Sequence, residues 1–305
     1  DWPGSIAVSP YGEIAVTVFE TWESPGPEAI QVVGSAQESQ ERIRLPVLLD
    51  GPVLWCPQGR RLAFGAAGIY IRPAHGSILE MSSGRAGRPM GWWGDELVIA
   101  RDERNKTQWA ISGPPYERPV PLRLPCRPAA GSLVRHAESG LSVFVAEDDG
   151  SVWMASRPDG EWHCVHKDGE ALGTPAFADA ERLRFFVRDG ALLEIVLADG
   201  GWDEHTVVEL GYPVSRALLA PDGMAAAWER GDGQLFMASL DEFAPRGIRL
   251  DGDCVDFALQ GHDALICLTR TNEWALPGRF HAAYVLTRLN AATGDATVLK
   301  RFPGY

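Results

Sequence analysis

An apolar run, a turn carrying Pro and Gly, and a second apolar run recur along this chain, and that repeat constrains its fold more than any single motif. Ser9-Pro10-Tyr11-Gly12 leads into Glu13-Ile14-Ala15-Val16-Thr17, Leu54-Trp55-Cys56-Pro57-Gln58-Gly59 leads into Arg61-Leu62-Ala63-Phe64, and Leu219-Ala220-Pro221-Asp222-Gly223 leads into Met224-Ala225-Ala226-Ala227-Trp228. Pro-x-Gly between two apolar runs is hairpin punctuation. Weaker copies stand at Trp92-Trp93-Gly94-Asp95, Arg135-His136-Ala137-Glu138, Phe177-Ala178-Asp179-Ala180 and Phe257-Ala258-Leu259-Gln260. One marker position in each copy gives Val8, Trp55, Trp92, Arg135, Phe177, Leu219 and Phe257, with a mean spacing of about 41 residues, within the roughly 40–45 residues of a four-stranded blade.

Each interval holds two further strand-like runs, such as Ile69-Tyr70-Ile71 with Ile78-Leu79-Glu80-Met81. Four strands per repeat and seven repeats predict an all-β protein, a seven-bladed β-propeller with four antiparallel strands per blade. Few stretches keep a helical period over 11 or more residues, so βα architectures fit poorly. The whole chain, 1–305, reads as one propeller domain with blades at approximately 5–50, 51–86, 87–128, 130–168, 172–211, 213–251 and 253–301. The pattern best matched by residues 53–64 resembles the WD40-like repeat of TolB-type propellers and of the propeller in prolyl-oligopeptidase-like peptidases. That resemblance implies a fold and carries no catalytic residue with it. The first blade begins with its innermost strand near Ser5 and the last ends near Ala296–Lys300. The reading therefore expects every blade to be complete in its own segment, without a strand-swapped clasp, and Trp2 and the segment Phe302-Pro303-Gly304-Tyr305 to lock the ring.

With 28 Lys and Arg against 41 Asp and Glu, the net charge is −13. An acidic field repels phosphates, so neither nucleic acid nor an anionic membrane is an expected partner. The five cysteines are odd in number and lack C-x-x-C spacing, which reads as reduced thiols and points to the cytoplasm, with a secreted or periplasmic location as the alternative because the sequence opens on Asp1. No apolar run approaches the length of a membrane-spanning helix.

Recognisable catalytic signatures are missing: no G-x-S-x-G elbow, H-E-x-x-H, P-loop, dinucleotide fingerprint or EF-hand loop occurs. The expectation is no cofactor and no metal. His163-Cys164-x-His166 is the one metal-like cluster, since strand alternation would put Cys164 and His166 on one face, but two ligands fall short of the three or four zinc requires. It reads as a solvated edge strand.

Two connections between second and third strands are unusually long, Thr21–Glu28 in blade 1 and Thr271–Phe280 in blade 7. These blades are neighbours in a closed ring, so their loops should meet on one face, joined by Arg101–Lys106 of blade 3. That face is expected to hold the working mouth of the channel, with Trp22, Glu23, Arg101, Trp274, Arg279 and His281 as binding residues. Inside the channel, Asp256 is charged in a column of small or apolar residues (Ala7, Leu54, Gly91, Val134, Ala176, Leu218), and Arg216 is the basic member of its own column. They read either as an ion pair between adjacent blades or as polar anchors for a ligand. Arg135 is a second anomaly, standing where other blades place Trp or Phe.

The leading expectation is a non-catalytic propeller, a scaffold that binds a protein or peptide partner across the channel-mouth face, with a small molecule as another class of ligand. The alternatives are a propeller enzyme (a lyase, cyclase or hydrolase using Asp256, Arg216, Glu23, Arg279 and His281) and the propeller domain of a larger peptidase.

Overall fold

The Pro- and Gly-bearing repeats fold as the first hairpins of seven four-stranded antiparallel sheets, in a computed structural model that describes residues 2–20, 24–34, 40–58, 60–66, 68–73, 78–81, 87–103, 106–156, 160–167, 170–198, 201–276 and 279–302. Side chains are described throughout these ranges except at 2, 102, 103, 106, 198, 272–276 and 279–281. The innermost strands are Trp2–Val8, Leu54–Trp55, Gly87–Trp93, Val134–Arg135, Ala171–Phe177, Val214–Leu219 and Asp253–Gln260. In each sheet the four strands lie in chain order from the channel outward. The protein is an all-β, seven-bladed propeller.

Register shows how far the repeats are equivalent. Ala7, Leu54, Val134, Ala176 and Leu218 each pair with the second strand one step in from the first turn, opposite Ala15, Ala63, Val143, Arg184 and Ala227, whereas Gly91, opposite Val98, lies two steps in and Asp256, opposite Leu268, lies four steps in. The first five therefore share one register position.

The core is divided between the blades. Seven apolar clusters among the described residues each join one blade to the next, from Ala15, Ile30, Trp55 and Phe64 between blades 1 and 2 to Ala227, Leu235, Phe257 and Leu265 between blades 6 and 7. Fully burying one such side chain stabilises the ring by roughly 1.5–3 kcal/mol. Trp55 and Trp92, the marker residues of blades 2 and 3, are buried at these seams, and each indole Nε1 donates to an inner-strand carbonyl of the preceding blade, Ala7 O at 3.0 Å and Leu54 O at 3.1 Å. Because Ala7 and Leu54 occupy the same column, this bond belongs to the repeat. Trp228, fully buried, fills the seam between blades 5 and 6.

Closure uses no clasp. The strand Trp2–Val8 pairs with Ile14–Phe19 of its own blade, and blade 7 is completed by Ala296–Phe302. The seam is an ordinary interblade cluster in which Ile14, Val16 and Val18 meet Ile266, Leu268 and Phe302. Lys300 Nζ donates to Gln40 Oε1 across it at 2.9 Å.

Antiparallel order fixes two faces. The first-to-second and third-to-fourth strand turns emerge on one, and the second-to-third connections and blade-to-blade links on the other. Two segments read as loops on the latter face are largely strand. Ala264–Leu276 and Arg279–Asn290 of blade 7 form a continuous hairpin of 13- and 12-residue strands, with Thr271 opposite Ala283 and Trp274 opposite Phe280. Pairing continues because Thr, Trp, Phe and His sit readily on a pleated surface. In blade 3, Arg101 pairs with Gln108 and Glu103 with Lys106, so the expected bridging loop is a tight hairpin end.

Candidate functional site

Charges inside the channel are held by the ring itself. Arg216 Nη2 donates to Asp256 Oδ1 at 2.7 Å, from blade 6 to blade 7, and Arg216 Nη1 donates to Val255 O at 3.2 Å. The guanidinium lies over the Phe257 ring at 4.4 Å. Asp256 Oδ2 accepts from Ile6 N of blade 1 at 2.8 Å, and its Oδ1 also accepts from Phe257 N at 2.9 Å. Burial pushes the Asp256 carboxyl above the usual carboxylate range, opposed by the Ile6 amide and the Arg216 guanidinium. These partners tie blades 6, 7 and 1 together.

Of the other residues singled out from sequence, Trp22 and Glu23 lie outside the described residues. Trp274, Arg279 and His281 belong to the blade 7 hairpin, on backbone that is described without its side chains. Arg101 is half-buried near the hairpin end of blade 3, with its Nε buried and unbonded. The metal-like cluster is broken up by a β-bulge. Val152 pairs with His166 but Trp153 with Cys164, so the two ligands leave strict alternation. His166 turns into the seam between blades 4 and 5, where Nδ1 is 2.7 Å from Glu204 Oε2 and the ring packs on Phe185, while Cys164 is exposed. No group of three or more His, Cys, Asp or Glu side chains converges among the described residues.

A well-formed cavity bounded by described residues lies elsewhere. It has a volume of about 570 Å³ and is built from the inner strands and first turns of blades 2 to 6, so it opens on the face opposite the long blade 1 and blade 7 connections. Its walls are apolar: Leu54, Trp55, Trp92, Leu133, Val134, Phe177 and Leu219. Gln58, Arg135, His136, Glu138, Thr174 and Asp179 supply the polar groups.

The cavity follows from the repeat and from its exception. In blades 2 and 3 the marker indole closes the seam toward the preceding blade. In blade 4 the marker is Arg135, whose long side chain is exposed and reaches the turn of blade 3, with Nη1 3.5 Å from Glu96 Oε2. Below it the two inner strands come together at a parallel bridge between Gly91 and Leu133. A Cβ on Gly91 would sit 2.5 Å from Leu133 Cβ, so the approach requires glycine.

First-turn residues set the rim. The His136 ring packs on Phe177 at 5.3 Å, and its Nδ1 accepts from Ser139 N at 3.2 Å. An acceptor Nδ1 places the proton of the neutral ring on Nε2. Asp179 is bonded within its own turn: Oδ1 accepts from Glu181 N and Arg182 N at 2.9 Å each, and Oδ2 from Arg182 Nε at 2.6 Å. Burial raises its carboxyl, but those donors prevail and hold it below its ordinary value. His136, Glu138 and Leu133 carry no sequence signal that marks them as cavity residues, and Trp55 and Trp92 stand in the sequence only as repeat markers. Arg135 was the available signal.

No protein-family model and no curated protein matches this chain. Solved structures do. A catalytically inactive variant of virginiamycin B lyase from Staphylococcus aureus, solved with quinupristin, superposes with a TM-score of 0.60 at 12% identity over 87% of this chain and 90% of that one. Hsv2p from Kluyveromyces lactis superposes with a TM-score of 0.52 at 12% identity over 99% of each chain. At such identities the likeness is one of fold. It supports the seven-bladed ring and transfers no residue role.

Proposed function

We propose that this chain is a binding propeller in which a protein or peptide partner places an apolar side chain into the cavity on the first-turn face. One observation carries the reading: a cavity of about 570 Å³ whose apolar walls end in a polar rim, a size within the roughly 300–1,000 Å³ range of ligand sites, which are built in that manner. The chemistry also suits a small apolar molecule, and a propeller of similar fold was solved with quinupristin. The test is binding of a ring-bearing fragment such as phenylbutyrate, followed by nuclear magnetic resonance. Val134→Phe fills the cavity and Ala137→Trp covers its mouth from an exposed turn position. Loss of binding in both, with an unchanged melting temperature in the second, is the expected result. Unchanged binding in both rejects the reading.

The second reading places the partner on the opposite face, and the extent of the blade 7 hairpin favours it. Its 13- and 12-residue strands are the longest among the described residues. Trp22, Glu23, Arg101, Trp274, Arg279 and His281 would then supply the contacts, Trp and Arg being frequent interface hot spots. In that case the joint substitution of Trp22 and Trp274 by Ala weakens partner binding by about 2 kcal/mol or more and leaves stability nearly unchanged.

A further inference from the structure

We infer that the group bound in the cavity carries a carboxylate, received at the rim by Arg135 and His136. The inference rests on the cavity being the binding site and names the chemistry that it selects.

Three observations carry it. Arg135 stands where the repeat places an apolar marker, and its guanidinium is only loosely committed. Its contact with Glu96 is 3.5 Å, well beyond the roughly 2.7–2.9 Å of a charge-assisted hydrogen bond, and Arg135 makes no hydrogen bond among the described residues. By contrast, Arg182 on the neighbouring rim is bound to Asp179 at 2.6 Å, so it has no such freedom. His136 supplies a second donor on the same turn: the Ser139 amide occupies Nδ1, leaving Nε2–H without a protein partner among the described residues. A tilted ring contact with Phe177 sets His136 at the cavity wall.

Two donors lining one cavity, the permanently cationic Arg135 on its blade 3 side and His136 on its blade 5 side, match an apolar body with an anionic head. A planar carboxylate suits a guanidinium fork better than a single acceptor does. The acids nearby do not reverse this. Asp179 has both oxygens engaged, and Glu138 is exposed, where solvent and salt screen it. A ligand carboxylate would draw Arg135 from its long contact with Glu96. This chemistry is offered either by a free aryl or alkyl carboxylic acid or by the C-terminal residue of a peptide ending in an apolar side chain.

The experiment measures affinities of phenylbutyrate, phenylbutanol and phenylbutylamine, then of Gly-Gly-Phe with a free and with an amidated C-terminus. The account expects the acid to bind about tenfold or more tightly than the alcohol, a ratio corresponding to one good charged contact. Arg135→Gln should abolish that preference while alcohol binding persists, and His136→Phe, which keeps the ring contact with Phe177, should reduce it. Tighter binding of the free-acid peptide than of phenylbutyrate identifies a chain terminus as the source, and the reverse identifies a small acid. Equal binding of the three fragments, or a preference for the amine, overturns the inference while leaving the cavity as the site. Failure of all three to bind, with Val134→Phe without effect on the tripeptides, overturns the site as well.

Discussion

Asp256 accepts hydrogen bonds from three blades, through Ile6 N, Arg216 Nη2 and Phe257 N, and its replacement exposes what the closure owes to one residue. Asp256→Ala leaves the Ile6 amide without an acceptor, which costs about 2 kcal/mol, the Arg216 contact adding less because that side chain is partly solvated. Chemical denaturation measures this. Burial raises the folded-state pKa of Asp256. The folded protein therefore takes up this proton more readily than the unfolded chain, and the group's contribution to stability, complete below the usual carboxylate value near about 4, declines as pH rises through the raised value. Asp256→Asn should flatten that part of the pH–stability curve. The charge at 256 and the cation at 216 were legible in sequence as exceptions to their columns. Their pairing was one of two readings, and side-chain geometry shows the pair formed between blades 6 and 7.

At the scale of the element, the inner strands decide both how closely blades approach and where space is left. Gly91 lets blades 3 and 4 touch backbone to backbone, and Gly173, at φ 69°, sits with its would-be Cβ 2.0 Å from Ala217 O of blade 6. Gly173→Ala should be more disruptive than Gly91→Ala, since the first combines a strained φ with a backbone clash and the second meets only a side chain. Overpacking of the second kind costs about 1–3 kcal/mol, and melting temperatures of the two variants rank them. The repeat was legible because Pro-x-Gly turns and apolar runs are local signals. The length of the blade 7 connection was misread because Thr271, Trp274 and Phe280 continue the sheet, and pairing across a hairpin is not written in either strand alone. The cavity was illegible for a related reason: five blades contribute to it, and it arises from the absence of an indole at Arg135 as much as from any residue present.

Across the whole molecule, seven self-contained blades are held by seven interblade clusters, and the seam between the last and the first is built like the others. Phe302, buried against Ile14, Val16 and Val18, should then behave as a core residue despite its place near the end of the sequence. Phe302→Ala is expected to cost about 3 kcal/mol in a denaturation experiment, far more than Lys300→Ala at the exposed contact with Gln40. The ring's two faces are unequal, since the long hairpin stands on one and the apolar cavity opens on the other, and the account assigns ligand capture to the cavity. Its most direct test is the affinity of phenylbutyrate for the native protein, for Val134→Phe, and for the protein with Trp22 and Trp274 both replaced by Ala. The account predicts a loss of about tenfold or more in the first variant and native affinity in the second. Native affinity in Val134→Phe together with lost binding in the double replacement would contradict it.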